Sequence, residues 1–212
     1  MSGWKVEFAS DSSLRVAGQS GDAIGAAFER LRDDWDVINL HPAYETLTLD
    51  FDPLLVSPPV FKARIEALLE SLDGKPTSSP QTLEIPVRYG GSDGPDLEDV
   101  VRLTKLDPEE VVRLHTAPLY TVRFLGFAPG FPYLTGLVAE LECARRESPR
   151  TRVPAGSVAI AARQTGIYPE ESPGGWQIIG RTELELFNPE NEKPTLLAPG
   201  DRVKFVAVEV KA

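Results

Sequence analysis

The residues best suited to chemistry in this chain lie in two stretches dense in glycine, proline and aromatic rings. One is Gly126-Phe127-Ala128-Pro129-Gly130-Phe131-Pro132-Tyr133-Leu134-Thr135-Gly136. The other begins Arg152-Val153-Pro154-Ala155-Gly156-Ser157 and runs through Gln164-Thr165-Gly166-Ile167-Tyr168-Pro169 to Pro173-Gly174-Gly175-Trp176. Glycines and prolines fix the backbone while large rings supply apolar area, a combination that predicts a rigid, concave binding surface rather than a flexible connector. Phe127, Phe131, Tyr133, Tyr168 and Trp176 each lie within two residues of a Gly or Pro. They read as pocket walls, the alternative being core packing. Arg152, Gln164 and Thr165 are the polar groups expected to converge there, or else to face solvent.

His115 ends a capped helical segment, which leaves two readings open. It is a general acid/base serving the Gly126 to Tyr133 loop, or a partly buried imidazole whose charge the carbonyl end of the helix favours. Pro173-Gly174-Gly175, with Arg163 or Arg181 nearby in sequence, is either an anion nest or a plain turn. Ser157 follows Pro-Ala-Gly instead of occupying a Gly-x-Ser-x-Gly elbow, and Cys143 lacks a sequence-visible activator, so neither reads as a nucleophile. Cys143 is expected to be a small buried filler. The two histidines, His41 and His115, and one cysteine offer no metal-ligand spacing, so no metal site is expected. Neither a phosphate-loop motif nor a Gly-x-Gly-x-x-Gly after a strand occurs, so ATP would have to be held differently.

Charge narrows the partners. The 212 residues carry a net charge of -10, and no basic run exceeds Arg145-Arg146, which disfavours nucleic acid and anionic membrane. A protein or small molecule fits better. With no apolar run near the roughly 20 residues of a membrane span and no signal-like N-terminus, the chain is expected to be cytoplasmic. Its lone cysteine agrees with a reducing compartment.

The elements that must position these residues divide near residue 80. Trp4, Val6 and Phe8 alternate as a strand. Ala23, Ile24, Ala27, Phe28 and Leu31 recur at helical spacing behind Ser20 or Asp22. Val37 to Leu40 and Leu47 to Phe51 predict strands across a His41-Pro42-Ala43-Tyr44 turn. A helix then carries Phe61, Ile65, Leu68, Leu69 and Leu72 and ends at Asp73-Gly74-Lys75-Pro76. This β-α-β-β-α order, completed by a strand at Leu83 to Val87, predicts a ferredoxin-like sandwich, with a linker at Pro76 to Pro80. Asp96 and Asp107 start two short helices as caps. From Tyr120 onward, short strands at 120–125, 157–161, 177–181 and 202–208 fit a small closed barrel.

The ordered series Val87-Arg88-Tyr89-Gly90-Gly91, Gly94-Pro95-Asp96-Leu97, His115, Phe124 to Leu134, Arg152 to Ile160, Gln164 to Pro169, Ser172 to Trp176, Ile179-Gly180-Arg181-Thr182 and Leu197 to Val203 closely resembles the KipI family. That family is also labelled allophanate hydrolase subunit 1 and the B subunit of 5-oxoprolinase. Pro42-Ala43-Tyr44 and Phe51-Asp52-Pro53-Leu54 extend the likeness to the N-terminal half. The resemblance implies an α+β domain over residues 1–80 followed by a cyclophilin-like β-barrel over 81–212. It also implies a KipA-like second subunit, a separate lactam-hydrolysing subunit, and ATP with Mg²⁺ used to open 5-oxo-L-proline to glutamate. By motif position it assigns substrate contacts to Phe127, Pro129, Gly130, Phe131, Tyr133, Arg152, Pro154, Gly156, Ser157, Gln164, Thr165, Tyr168, Gly174, Gly175, Trp176 and Arg181, with His115 as acid/base. Some members inhibit a sporulation histidine kinase by binding it. The chain also resembles the carboxyltransferase part of urea carboxylases, which implies carboxyl transfer as an alternative role, but with Met1 as its one methionine it lacks the Met-flanked lysine that carries biotin.

Overall fold

The computed structural model describes residues 3–18, 20–72 and 80–211. The chain divides into two compact units, Met1–Ser79 and Pro80–Ala212. In the first, the strands β1 (Lys5–Phe8), β2 (Ser13–Ala17), β3 (Asn39–Ala43) and β4 (Thr46–Asp50) form an antiparallel sheet in the order β1-β2-β4-β3. Helices α1 (Gly21–Leu31) and α2 (Pro58–Glu70) pack their apolar stripes on it. Ile24, Ala27, Leu31, Phe61, Ile65 and Leu69 meet Leu14, Val16, Leu47 and Leu49 in one buried core. Ser20 caps α1 as expected, its hydroxyl accepting from the Ala23 N–H at 3.2 Å.

This layout corrects the sequence reading at three points. A second strand, β2, follows β1 as a hairpin, so the order is ββαββα instead of a ferredoxin-like βαββαβ. The strand expected at Leu83 to Val87 belongs to the other unit, as part of β5 (Thr82–Gly90). Strand β3 runs through His41-Pro42, and the chain reverses one step later, at Tyr44 with φ +46°. Pro42 is tolerated there because β3 is an edge strand, where a missing N–H leaves no ladder bond broken. The expected helix stop at Asp73 to Pro76 lies outside the described residues.

The second unit is a closed seven-stranded barrel. Its strands are β5, β6 (Tyr120–Leu125), β7 (Pro132–Thr135), β9 (Ser157–Ala161), β10 (Gln164–Ile167), β12 (Gln177–Arg181) and β13 (Arg202–Lys211), in the order β10-β7-β6-β13-β5-β12-β9, closing between β9 and β10. A separate two-stranded piece pairs β8 (Arg150–Val153) with β11 (Ser172–Gly174). Helices α3 (Leu97–Thr104) and α4 (Pro108–Thr116) pack on the barrel; Asp107 caps α4 through the Glu110 N–H at 2.8 Å. Barrel closure removes the sheet edges, and period-2 alternation sorts each strand into an inner and an outer face. Along β9, Val158 and Ile160 join the interior with Val87, Tyr89, Leu134, Ile179 and Phe205, whereas Ala159 and Ala161 join a smaller outer cluster. Full burial of each large aliphatic side chain contributes about 1.5–3 kcal/mol.

Candidate functional site

The outer cluster is where the Gly/Pro/aromatic stretches meet. Phe131 N–H donates to the Ala128 carbonyl at 3.0 Å, closing a turn with Pro129 second and Gly130 third at φ +79°. That is type II chemistry, proline presetting the first corner and glycine taking the left-handed one. Phe127, just before the turn, sits at φ +71° and is 62% exposed. A left-handed conformation costs an L-residue about 1–2 kcal/mol. The loop therefore holds an aromatic ring at the surface in a strained backbone, its edge against Phe131 at 5.5 Å and Tyr168 at 6.2 Å between centroids.

Behind Phe127 the rings pack on one another. Phe131 contacts Tyr133 at 5.1 Å, Tyr168 at 5.1 Å and Trp176 at 5.6 Å, mostly edge to face. Val153, Ala159, Ala161 and Ile178 complete the layer. Gly174 is required by close approach, since a Cβ there would run into the Tyr168 hydroxyl. The expected pocket walls Phe131, Tyr168 and Trp176 are thus buried as a second core on the barrel's outer face, and Phe127 with half-buried Tyr133 forms the accessible part. Their ring area is best hidden against other rings, which sequence spacing alone does not reveal.

Beside this layer runs a groove of about 550 Å³ lined by Asp99, Arg102, Arg145, Arg146, Ser148 and Gln177 among others. The Arg145 guanidinium lies 5.9 Å from the Trp176 ring centroid. Under the groove Asp96, 1% exposed, accepts from Arg146 Nη1 at 2.6 Å, from Arg150 Nη1 and Nη2 at 2.7 and 2.6 Å, and from the Ile178 N–H at 2.8 Å. Asp96 occupies the expected cap position of α3 without a side-chain cap bond, because the two-pronged Arg150 guanidinium, Arg146 Nη1 and the Ile178 N–H claim its carboxylate. The partners lie 50 and 54 positions away, so short-range spacing carries no signal of them.

His115 is not brought to this cluster. It is 0% exposed inside the barrel, its ring 4.5 Å from that of Phe205. Thr165 Oγ1 donates its single proton to the Ala159 carbonyl at 3.0 Å, so it accepts from His115 Nε2–H at 2.9 Å, and Nδ1 accepts from the Tyr89 hydroxyl at 2.8 Å. Burial pushes the imidazole down to about 3 and holds the Tyr89 phenol far above its ordinary value. The ring is fully buried where the sequence predicts a partly buried one, and burial favours its neutral form over a helix-end cation. Thr165 belongs to the same sealed network.

The remaining predicted residues separate by exposure. Ser157 is buried with its hydroxyl donating to the Pro154 carbonyl at 2.7 Å, and Gly156 is buried at φ +80°. Arg152 is exposed and forms a two-pronged pair with Glu171 at 2.9 Å; exposed Arg181 donates to the Ala155 carbonyl at 3.1 Å, and Pro154 is exposed. Gln164 is half-buried at the start of β10. The Gly175 carbonyl accepts from the Arg146 N–H at 2.8 Å, so Pro173 to Gly175 is strand end and turn, with Arg181 and Arg163 directed elsewhere. Burial pushes the Cys143 thiol up to about 11, consistent with a filler. Among the described residues no three His, Cys, Asp or Glu side chains gather to hold a metal ion, and no helix is long and apolar enough to cross a membrane.

A barrel of this topology preceded by an α+β unit defines a class, and the chain belongs to the family described as carboxyltransferase domain, subdomain C and D, whose model matches residues 2–197. Within it, the chain is 46% identical over 180 residues to the B subunit of 5-oxoprolinase from Bacillus subtilis (strain 168), covering 80% of this chain and 75% of that one. It is 44% identical over 187 residues to the corresponding 5-oxoprolinase chain of Haemophilus influenzae, covering 85% and 84%. Among solved structures, TTHA0988 superposes with a TM-score of 0.80 at 38% identity, over 97% of this chain; the chain spans 40% of the length of that protein. The urea amidolyase of K. lactis shares the fold at 18% identity and a TM-score of 0.76 over 97% of this chain.

Proposed function

We propose that this chain is the B subunit of an ATP-dependent 5-oxoprolinase, acting with a KipA-like second subunit and a separate lactam-hydrolysing subunit to convert 5-oxo-L-proline to L-glutamate. The observation that carries the reading is identity of 44 to 46% to the matching chains of two 5-oxoprolinases, across 80 to 85% of this chain. A lactam carbonyl is deactivated by amide resonance; phosphorylating its oxygen with ATP makes the ring carbon electrophilic, so that water adds there and the C–N bond breaks with the nitrogen leaving as the free amine. The resulting acyl phosphate is hydrolysed by a second water to the carboxylate and inorganic phosphate. Such chemistry needs positioning and charge stabilisation more than a dedicated nucleophile. That suits a chain whose Ser157, Cys143 and His115 are all sealed.

In this reading Phe127 and Tyr133 are the apolar contacts, and Arg152, Gln164 and Arg181 the polar ones, toward substrate or toward the neighbouring subunit that completes the site. Phe131, Tyr168, Trp176, Gly130 and Gly174 hold that rim in place from behind. With no phosphate loop in the sequence and no metal-ligating cluster among the described residues, Mg²⁺ accompanies ATP as part of the co-substrate, chiefly on the partner subunits. Mixing the three subunits, isolating the complex and following L-glutamate formed from 5-oxo-L-proline tests the reading. Glutamate formation by the complex supports it; a stable complex that leaves 5-oxo-L-proline untouched in the presence of ATP and Mg²⁺ overturns it.

A further inference from the structure

We propose that the arginine groove beside the aromatic layer is a binding site for a small oxyanion that carries an N–H or O–H donor next to its charge. Arg102, Arg145 and Arg146 converge in this one groove of about 550 Å³, a size that suits a small ligand. Arg145 forms no ion pair among the described residues, and its guanidinium rests over the Trp176 ring. The walls also carry Asp99 and Glu147. Asp99 pairs with Arg102 and Arg146, and Asp96 beneath is shared between Arg146 and Arg150. Four arginines thus face three carboxylates, a local excess of positive charge in a chain whose net charge is -10. In so acidic a chain, a positive groove selects anions locally.

The second observation is independent of charge. Gln177, first residue of β12 and 4% exposed, donates through Nε2 to the Ala144 carbonyl at 3.1 Å, which fixes the amide so that Oε1 is left over. That oxygen and Arg146 Nε are buried without a hydrogen-bond partner among the described residues. Buried orphans are rare in native proteins, and here an acceptor and a donor occur on two residues of the same groove. Solvated surface arginines would not leave such a pair. A ligand with an oxyanion for Arg146 Nε and an N–H or O–H for Gln177 Oε1 supplies a partner of the right kind to each orphan. Two sources share this chemistry: a carboxylate beside a lactam N–H, and a nucleotide or inorganic phosphate.

The test is a titration of the ¹⁵N-labelled chain with inorganic phosphate, ATP and 5-oxo-L-proline in separate arms, following the Trp176 indole N–H and the arginine Nε–H signals. The expected result is a saturable shift of the Trp176 and Arg146 signals in at least one arm. Arg145→Ala should weaken it about tenfold, the scale of one charge-assisted hydrogen bond, and Arg145→Lys should weaken it less. Arg145 is exposed, so its removal leaves the fold intact, which the unchanged amide dispersion would verify. A response to ATP and phosphate identifies the phosphate source, and one to 5-oxo-L-proline the carboxylate source. No saturable shift in any arm up to about 10 mM, or shifts that Arg145→Ala leaves unchanged, would overturn the proposal. Binding is read without turnover, so the outcome is separate from that of the oxoprolinase reading.

Discussion

Replacing Asp96 by alanine should loosen the barrel unit more than any single surface change. The carboxylate is 1% exposed and accepts four hydrogen bonds, three from the Arg146 and Arg150 guanidinium groups and one from the Ile178 N–H. Removing one member of a buried ion pair costs about 3–5 kcal/mol because the partner charge is left uncompensated. Here the arginines are 29% and 25% exposed, so each regains some water, and the lower end applies, about 3 kcal/mol. An unfolding entropy of about 2.1 cal/mol/K per residue over Pro80–Ala212 gives about 0.28 kcal/mol per degree. Tm should therefore fall by about 10 °C. Calorimetry of the full chain, together with tryptophan fluorescence in a background where Trp4 and Trp35 are replaced by phenylalanine so that Trp176 alone marks the transition of this unit, reads the shift. Arg150→Ala should lower Tm too, and combining it with Asp96→Ala should add far less than the sum. A drop below about 3 °C for Asp96→Ala would show that the cluster behaves like a solvated surface pair and would refute the reasoning.

Three further outcomes follow from the same geometry. His115 is neutral in the folded chain down to about 3 and titrates near 6.5 when unfolded, so its contribution is complete above about 6.5 and declines as pH falls, by up to tenfold in the unfolding equilibrium per pH unit; urea unfolding at pH 7 and pH 5 should show the slope in wild type and lose much of it in His115→Phe. Gly174→Ala forces a methyl into the Tyr168 hydroxyl and should cost about 1–3 kcal/mol while altering the Trp176 emission; emission and stability like wild type would contradict the packing described. Phe127→Gly relieves a left-handed ring-bearing residue, so stability should hold or rise while turnover or assembly falls, and full activity in the assembled complex would remove Phe127 from the site.

Local physics made much of the architecture readable. Alternation at Leu47 and Leu49, helical spacing from Ile24 to Leu31 and the Asp107 cap each describe contacts made within a few residues, and each appears in the structure. What failed depends on long-range neighbours. Leu83 to Val87 is an unambiguous strand, yet it pairs with β13 more than 100 positions on, not with the N-terminal sheet. Pro42 reads as a turn until β3 is known to be an edge. The aromatic stretches carry the right residues, but inner and outer faces of a barrel are set by closure, so Phe131, Tyr168 and Trp176 could not be told from pocket walls, nor His115 from an accessible base. Asp96 reads as a cap because its arginines lie beyond any local window.

The most direct test of the central claim is ATP hydrolysis dependent on 5-oxo-L-proline, measured with this chain and its two partner subunits, each omitted in turn. The account predicts coupled release of ADP and L-glutamate in the complete mixture and loss of that coupling when this chain is left out. Undiminished coupled turnover without it, or none in a mixture shown to be fully assembled, would contradict the assignment.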